Sequence, residues 1–281
     1  MEKKVCLITG ANTGIGKIAA TEIARQGYRV VMANRDSDKS RAAQEDIKKE
    51  SGNDDVTLLT VDLASLQSVH ELANKFLSRF DRLDVLVNNA GVWMGDYEKT
   101  GDGLEKTFAV NHFAHFLLTT LLLDLLKKSS PSRIVVTSSE GEKIGGFDLD
   151  NFMDEKQFGS IRTYCRTKRA NLHFIHELAR RIEGSGVTVN ALHPGPVKTD
   201  LFRASTLPWW FKASLAIGKP FLRTPEKGAQ TIIYLATSPD VEGVSGKYFV
   251  DKKPRRSTRA SYDETKEKQL WELSEKLTAA K

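Results

Sequence analysis

Tyr164 and Lys168 stand four residues apart in "TYCRTKRANLHF", a stretch of helical period, so both side chains project from one helical face. A phenol near pKa 10 is a poor base at neutral pH. A fixed ammonium beside it favours the phenolate, as would any other positive charge brought close. Such a tyrosine can take a proton from an alcohol or return one to a carbonyl. The pair alone is a common accident of helical spacing, so its meaning depends on what surrounds it. A second group with chemical meaning lies near the start, in "LITGANTGIGKIAA". Gly10, Gly14 and Gly16 fall where an apolar run gives way to a helical pattern. A turn needs one glycine; three at a strand-to-helix junction suit a loop in which backbone and a phosphate approach closely at a helix N-terminus.

The elements that must position these groups follow from the hydrophobic pattern. Short β-branched runs at residues 4–9, 29–34, 55–60, 83–89, 133–138 and 187–193 predict strands, with a shorter one at 246–250. Helical periods fill 14–26, 37–50, 65–80, 102–128, 160–183 and 225–237 between them. Continuous apolar strands alternating with helices predict a parallel sheet covered on both faces, and right-handed crossovers make it doubly wound. The expected fold class is therefore α/β: a single-domain doubly wound (Rossmann-type) parallel sheet of about seven strands, spanning 1–281. In such sheets ligands sit at the carboxyl ends of the strands, where strand order reverses. The glycine loop follows the first strand and belongs at that place. Beyond residue 200 the pattern loosens into an aromatic segment, with a substrate-loop region expected at 200–224. A polar helix at 262–279 follows, whose Leu270, Trp271, Leu273 and Leu277 would dock on the body.

Composition narrows the classes. The chain has 281 residues, 40% hydrophobic and 28% charged, with a net charge of +6. No window reads as the roughly 18–20 apolar residues of a membrane span. The opening "MEKKVCLITG" has no apolar signal core, which predicts a cytoplasmic protein. Cys6 and Cys165 form neither a disulfide framework nor a zinc pattern. His112/His115 and His173/His176 are each three apart, but no suitably spaced carboxylates accompany them, so no metal site is expected. Much of the positive excess lies in "DKKPRRSTR", residues 251–259. It reads as solvated surface or as a weak site for an anionic surface such as lipid. No aromatic residues interleave it, which argues against nucleic acid.

The spacing G-x-x-x-G-x-G, with "NNAG" after the fourth strand, "NHFAHFLL" from Asn111, "VVTSS" ending at Ser139, "YCRTK" from Tyr164 and "HPGPVKTD" from His193, resembles the short-chain dehydrogenase/reductase family, in order and over nearly the whole chain. "TGANTGIGK", "GVTVNALHPG" and "VSGKYFVDKKP" with "LWELSEKL" are similar to its retinol-dehydrogenase-like branch. That resemblance implies a catalytic set of Asn111, Ser139, Tyr164 and Lys168. Ser139 would hydrogen-bond the substrate oxygen, with Ser138 the competing assignment, and Asn111 would hold a water in a relay to Lys168. Thr167 replaces the serine common in the family and retains its hydroxyl. The cofactor would touch Gly10, Asn12, Thr13, Gly14, Ile15 and Gly16, then Asp62 and Leu63 at the adenine. Asn89, Ala90 and Gly91 would flank its ribose, and Pro194, Gly195, Val197 and Thr199 the nicotinamide, beside Tyr164 and Lys168.

Spacing from the glycine loop reaches both Arg35 and Asp36, which would favour opposite cofactors. By resemblance Asn34 holds the acidic position of NAD-dependent members and Arg35 the phosphate-binding one, so NADP(H) is expected. Trp93, Met94 and Phe202 are expected to meet a small lipophilic substrate, a retinoid-like or other apolar alcohol/carbonyl pair. A steroid or fatty-aldehyde reductase, or a cofactor-binding sensor or interaction protein with little turnover, are the other readings. Related members commonly carry an N-terminal membrane anchor, of which this sequence shows none. Peripheral membrane contact through "PWWFK" and a homodimer through the helices at 102–128 and 160–183 complete the expectations.

Overall fold

The computed structural model describes residues 3–146, 148–197 and 222–279. Eight strands form one sheet: β1 (Val5–Thr9), β2 (Arg29–Asn34), β3 (Val56–Thr60), β4 (Val85–Asn88), β5 (Ser132–Thr137), β6 (Val187–His193), β7 (Lys247–Val250) and β8 (Lys253–Arg255). Their order is β3-β2-β1-β4-β5-β6-β7-β8, parallel throughout except for the β7/β8 pair. The chain leaves β1 toward β2 on one side and returns to pair β4 on the other, so the reversal opens a crevice at the carboxyl ends of β1 and β4.

The sheet has one strand more than the seven expected. β8 is three exposed residues, Lys-Pro-Arg, joined to β7 through Asp251 and Lys252, both at positive φ. That two-residue connection matches the twist of a hairpin without the usual Asn-Gly signature. Charge and a proline on the outer strand oppose further edge pairing.

The helices are α1 (Gly14–Arg25), α2 (Asp38–Ser51), α3 (Leu66–Leu77), α4 (Lys106–Lys128), α5 (Ser160–Arg181), α6 (Pro225–Thr237) and α7 (Glu264–Thr278). Caps mark their starts: the Ser37, Ser65, Thr224 and Asp263 side chains each accept a backbone N–H. The buried Glu105 carboxylate accepts from Thr107 N at 2.9 Å and Phe108 N at 2.8 Å to start α4. By length and composition α4 could cross a membrane, contrary to the sequence expectation that no such stretch exists. In the fold 78% of its apolar window is buried, because the sheet and α3, α5 and α7 pack against it, while Asp124, Lys127 and Lys128 face outward. One hydrophobic cluster joins the sheet to α3, α4, α5 and α7, and a second joins it to α1, α2 and α6. Leu270 and Trp271 of α7 are buried, with Leu273 and Leu277 packed at the margin. The Arg181 guanidinium lies 4.3 Å from the Trp271 ring centroid, closing the seam between α5 and α7.

Candidate active site

The glycine loop is held by protein contacts. A Cβ on Gly10 (φ +69°) would sit 2.9 Å from Ala90 Cα. One on Gly16 would fall 2.1 Å from the Gly10 carbonyl oxygen and 2.5 Å from Asn89 Nδ2. Gly16 must therefore be bare for α1 to rest on its own entry loop, a packing demand that stands beside the contact with a ligand expected from the sequence. Asn89 Nδ2 donates to the carbonyls of Thr9 and Gly10 at 3.0 and 3.3 Å, joining the ends of β1 and β4. Ala11 N donates to Asn34 Oδ1 at 3.2 Å and Asn12 Nδ2 to Ser40 Oγ at 3.1 Å. Gly14, at φ +54°, opens α1. Thr13 gives that helix no side-chain cap and its first turn carries no acidic residue, so Ile15 and its neighbours present N–H groups where an anion would be welcome. Gly91 faces the crevice: a Cβ there would stand 3.4 Å from Asn111 Oδ1 and 3.7 Å from Lys168 Nζ.

Along the rim, Arg35 is exposed just past β2 and makes no ion pair among the described residues. Asp36 is paired with Arg41, which also meets Asp38 at 2.8 Å. Asn34 is buried and turned toward the glycine loop. Asp62 is exposed and caps Ala64 N at 3.0 Å, while Leu63 is buried beneath it. At the far end Pro194 is half-buried and Gly195 (φ +86°) is pressed against Arg223. Val197 is buried and bridges to Arg223. Thr199, Phe202 and nearly all of 200–224, including "PWWFK", lie outside the described residues.

Tyr164 and Lys168 lie one turn apart on α5, as their spacing requires. Lys168 Nζ stands 5.4 Å from the Tyr164 ring centroid and donates to the Thr137 carbonyl at 3.1 Å. The two serines after β5 divide. Ser138 Oγ is buried and donates to the Lys168 carbonyl at 2.8 Å, whereas Ser139 faces the Tyr164 phenol and accepts from Gly141 N at 3.2 Å. Period-two alternation sends them to opposite sides. Asn111 lies in a π-helical segment of α4, Ala109–Phe113, a local widening that no propensity in the sequence announces. Its Oδ1 accepts from Val92 N at 2.8 Å, and its Nδ2 donates to Val92 O at 2.9 Å and Thr167 Oγ1 at 3.1 Å. Thr167 passes its own proton to the Tyr164 carbonyl at 2.7 Å. The Asn111 amide is thus a clamp between the Gly91–Val92 loop and α5.

Electrostatics also depart from the expectation. Burial raises the Tyr164 phenol well above its ordinary value; the Ser139 hydrogen bond opposes this and Cys165 adds to it. Burial lowers Lys168 to about 8. Desolvation is the leading cause for each group, and it favours the neutral form of both. Burial lifts the Cys165 thiol to about 11, far from a nucleophile's range. Trp93 stacks on Tyr164 with centroids 5.1 Å apart and planes 14° apart. Its indole N–H donates to Ser160 Oγ at 2.6 Å, and that hydroxyl donates to the Met94 carbonyl at 2.7 Å. Trp93 is thereby a buried backing for the phenol, and half-buried Met94 sits at the mouth. Among the described residues no group of three or more His, Cys, Asp or Glu could hold a metal ion.

Thr9, which the sequence reading passed over, is central. Its hydroxyl oxygen accepts from Asn89 N at 2.9 Å and Ala90 N at 3.0 Å, and lies 3.0 Å from His115 Nε2. The only signal was its place, a hydroxyl directly before the first glycine.

Comparison with known proteins agrees with this geometry. The short chain dehydrogenase family model matches residues 4–208. Human retinol dehydrogenase 14 is 45% identical over 289 residues, covering 98% of this chain and 86% of that protein. Human retinol dehydrogenase 13 is 43% identical, covering 98% and 84%. An uncharacterised protein from Mycobacterium paratuberculosis superposes with a TM-score of 0.78 at 31% identity, covering 98% of this chain and 93% of the other. A short chain dehydrogenase from Escherichia coli CFT073, solved with NADPH, gives 0.71 at 26% identity, covering 90% and 98%. The chain belongs to the short-chain dehydrogenases, a family of oxidoreductases, and within it to the retinol-dehydrogenase-like branch.

Proposed function

We propose that the protein is an NADP(H)-dependent oxidoreductase acting on a retinoid-like or other lipophilic alcohol/carbonyl pair, with Tyr164 as its general acid/base. The observation that carries this is Tyr164 and Lys168 one turn apart on α5, the ammonium 5.4 Å from the phenol ring and Ser139 beside it, at the carboxyl ends of β1 and β4 where α1 also begins. A dinucleotide fits the residues present. The α1 N-terminus has no acidic residue in its first turn, and Arg35 offers a free guanidinium fork to a ribose phosphate. When bound, the nicotinamide supplies or accepts the hydride.

The rest falls to this chain. Ser139 orients the substrate oxygen and stabilises the charge that develops on it. Tyr164, whose phenol desolvation keeps protonated, donates its proton to that oxygen in carbonyl reduction and takes it back in alcohol oxidation. Lys168, fixed by the Thr137 carbonyl, supplies positive charge when the phenolate forms. Trp93 excludes water from one face of the ring. The relatives named retinol dehydrogenases support the choice of substrate class. The unpaired thiols of Cys6 and Cys165 accord with a reducing compartment. Lys252, Lys253 and Arg255 are exposed on the β7–β8 hairpin without ion pairs among the described residues, which suits peripheral contact with anionic lipid.

The test is a panel of all-trans-retinal, a steroid ketone and a fatty aldehyde, each offered with NADPH and with NADH. Turnover of an apolar carbonyl with NADPH preferred is expected. Absence of turnover with either cofactor sinks the reading. Preference for NADH, with NADPH affinity unaffected by Arg35→Ala, sinks its cofactor half.

A further inference from the structure

His115 lies on α4, four residues beyond Asn111, and is buried. Its Nε2 is 3.0 Å from Thr9 Oγ1 and its Nδ1 is 3.3 Å from the Asn111 carbonyl oxygen. The protons can be placed by counting. The Thr9 oxygen already accepts two backbone N–H groups, from Asn89 and Ala90, which fills its lone pairs. Its own proton must therefore be donated. His115 Nε2 at 3.0 Å is a better acceptor site than the Val87 carbonyl at 3.4 Å. Nε2 then has no proton, and Nδ1 carries it toward the Asn111 carbonyl, a pure acceptor. One tautomer satisfies every atom.

We propose that His115 is a positioning residue that locks the cofactor cradle to the catalytic helix through this single neutral tautomer. The bonds link through Asn111, whose backbone carbonyl takes the His115 proton while its side-chain amide donates onward. Asn89 and Ala90, at the floor of the cradle, donate to Thr9; Thr9 donates to His115; His115 donates to Asn111; Asn111 donates to Thr167; Thr167 donates to the Tyr164 carbonyl. The Asn111 carbonyl belongs to the π segment, where the ordinary ladder is displaced and a side-chain donor has a use. The environment holds the ring neutral: burial, then the nearby Lys168, push its pKa down to about 3. The inference rests on the function proposed above, since it assigns His115 to that site.

Two conservative variants separate this role from packing. Asparagine places its amide near the His115 Nδ1 position and can still donate to Asn111, but cannot reach Thr9. Glutamine reaches toward the Nε2 position and can still accept from Thr9, but gives up Asn111. NADPH affinity, read by tryptophan fluorescence, and kcat for the best carbonyl of the panel are measured for both. His115→Asn should weaken NADPH binding about tenfold with kcat held, and His115→Gln should lower kcat about tenfold with NADPH affinity held, each the loss of one buried hydrogen bond. His115→Leu should show both losses. Equal losses of affinity and kcat in the Asn and Gln variants, or wild-type values in both, overturn the assignment. That pair also decides the matter if the leucine variant does not fold. A wild-type protein that binds NADPH but reduces nothing sinks the functional reading alone, and the NADPH affinity of His115→Asn still judges His115.

Discussion

The two faces of the sheet are built on different principles. Against α1, α2 and α6 the packing is small and apolar: Ala19, Ala20, Ile23 and Ala24 meet Ile232, Leu235 and Ala236 across strands of Val, Ile and Met. The four buried histidines, His112, His115, His173 and His176, all lie on the other side, on α4 and α5, with Lys168, Asn111 and Glu267. There each polar group needs a partner, and the networks that supply partners run between helices: His112 to Ser274 at 3.1 Å, His176 to the Ser261 carbonyl at 2.8 Å and to Glu267 at 3.1 Å. The first face supplies cohesion. The second holds its charge and dipoles in partnered networks, the dry, fixed setting that the proposed proton transfer requires.

Acid should expose that difference most strongly. Burial depresses His112 to about 4, His115 to about 3 and His173 to about 4, from an ordinary 6.5. Between those values and 6.5 the unfolded chain binds more protons than the native one. Stability is therefore whole above 6.5, falls as pH drops from 6.5 toward the folded values, and levels off below them. With three such groups the slope reaches at most about 4 kcal/mol per pH unit. Urea midpoints measured from pH 7 to 4 give this directly, and a flat profile would contradict the assignment.

The apolar face should fail differently. Ile47→Ala, in the fully buried side of α2, should remove about 2–5 kcal/mol of stability at every pH, leaving kcat per folded molecule unchanged. Denaturation combined with active-site titration measures both quantities. On the polar face Asn111→Ala strands the Val92 backbone groups and Thr167 and should lose about 1–3 kcal/mol, with kcat falling as well. If the two substitutions behave alike, the contrast between the faces has no functional content. The smallest effect belongs to the rim: Arg35→Ala should weaken NADPH binding by about tenfold and leave NADH binding and thermal stability as they were. Calorimetric titration with the two cofactors checks it.

Much of this was legible in the sequence because parallel strands are continuous apolar runs and the Tyr164–Lys168 spacing fixes a shared helical face. The glycine loop falls at the end of β1 as expected, but the tight packing of Gly16 was not legible, since its neighbours, the Gly10 carbonyl and Asn89, come together only through the β1/β4 pairing. β8 was hidden because Lys-Pro-Arg reads as a basic surface run; its pairing is tertiary. The π segment and the Thr9–His115–Asn111 chain leave no periodic trace, and the spacing of His112 and His115 says only that they lie on a helix. The direction of the Tyr164 shift could not be read either, because it depends on desolvation of the phenol, and the Trp93 ring that stacks on it is brought there by tertiary packing.

The central claim is that the phenol of Tyr164 moves the proton. The direct measurement is single-turnover reduction of the best panel substrate at saturating NADPH, pH 7, for wild type and Tyr164→Phe. The account predicts a rate at least about a hundredfold lower in the variant with NADPH affinity unchanged. Equal rates for the two proteins would contradict it.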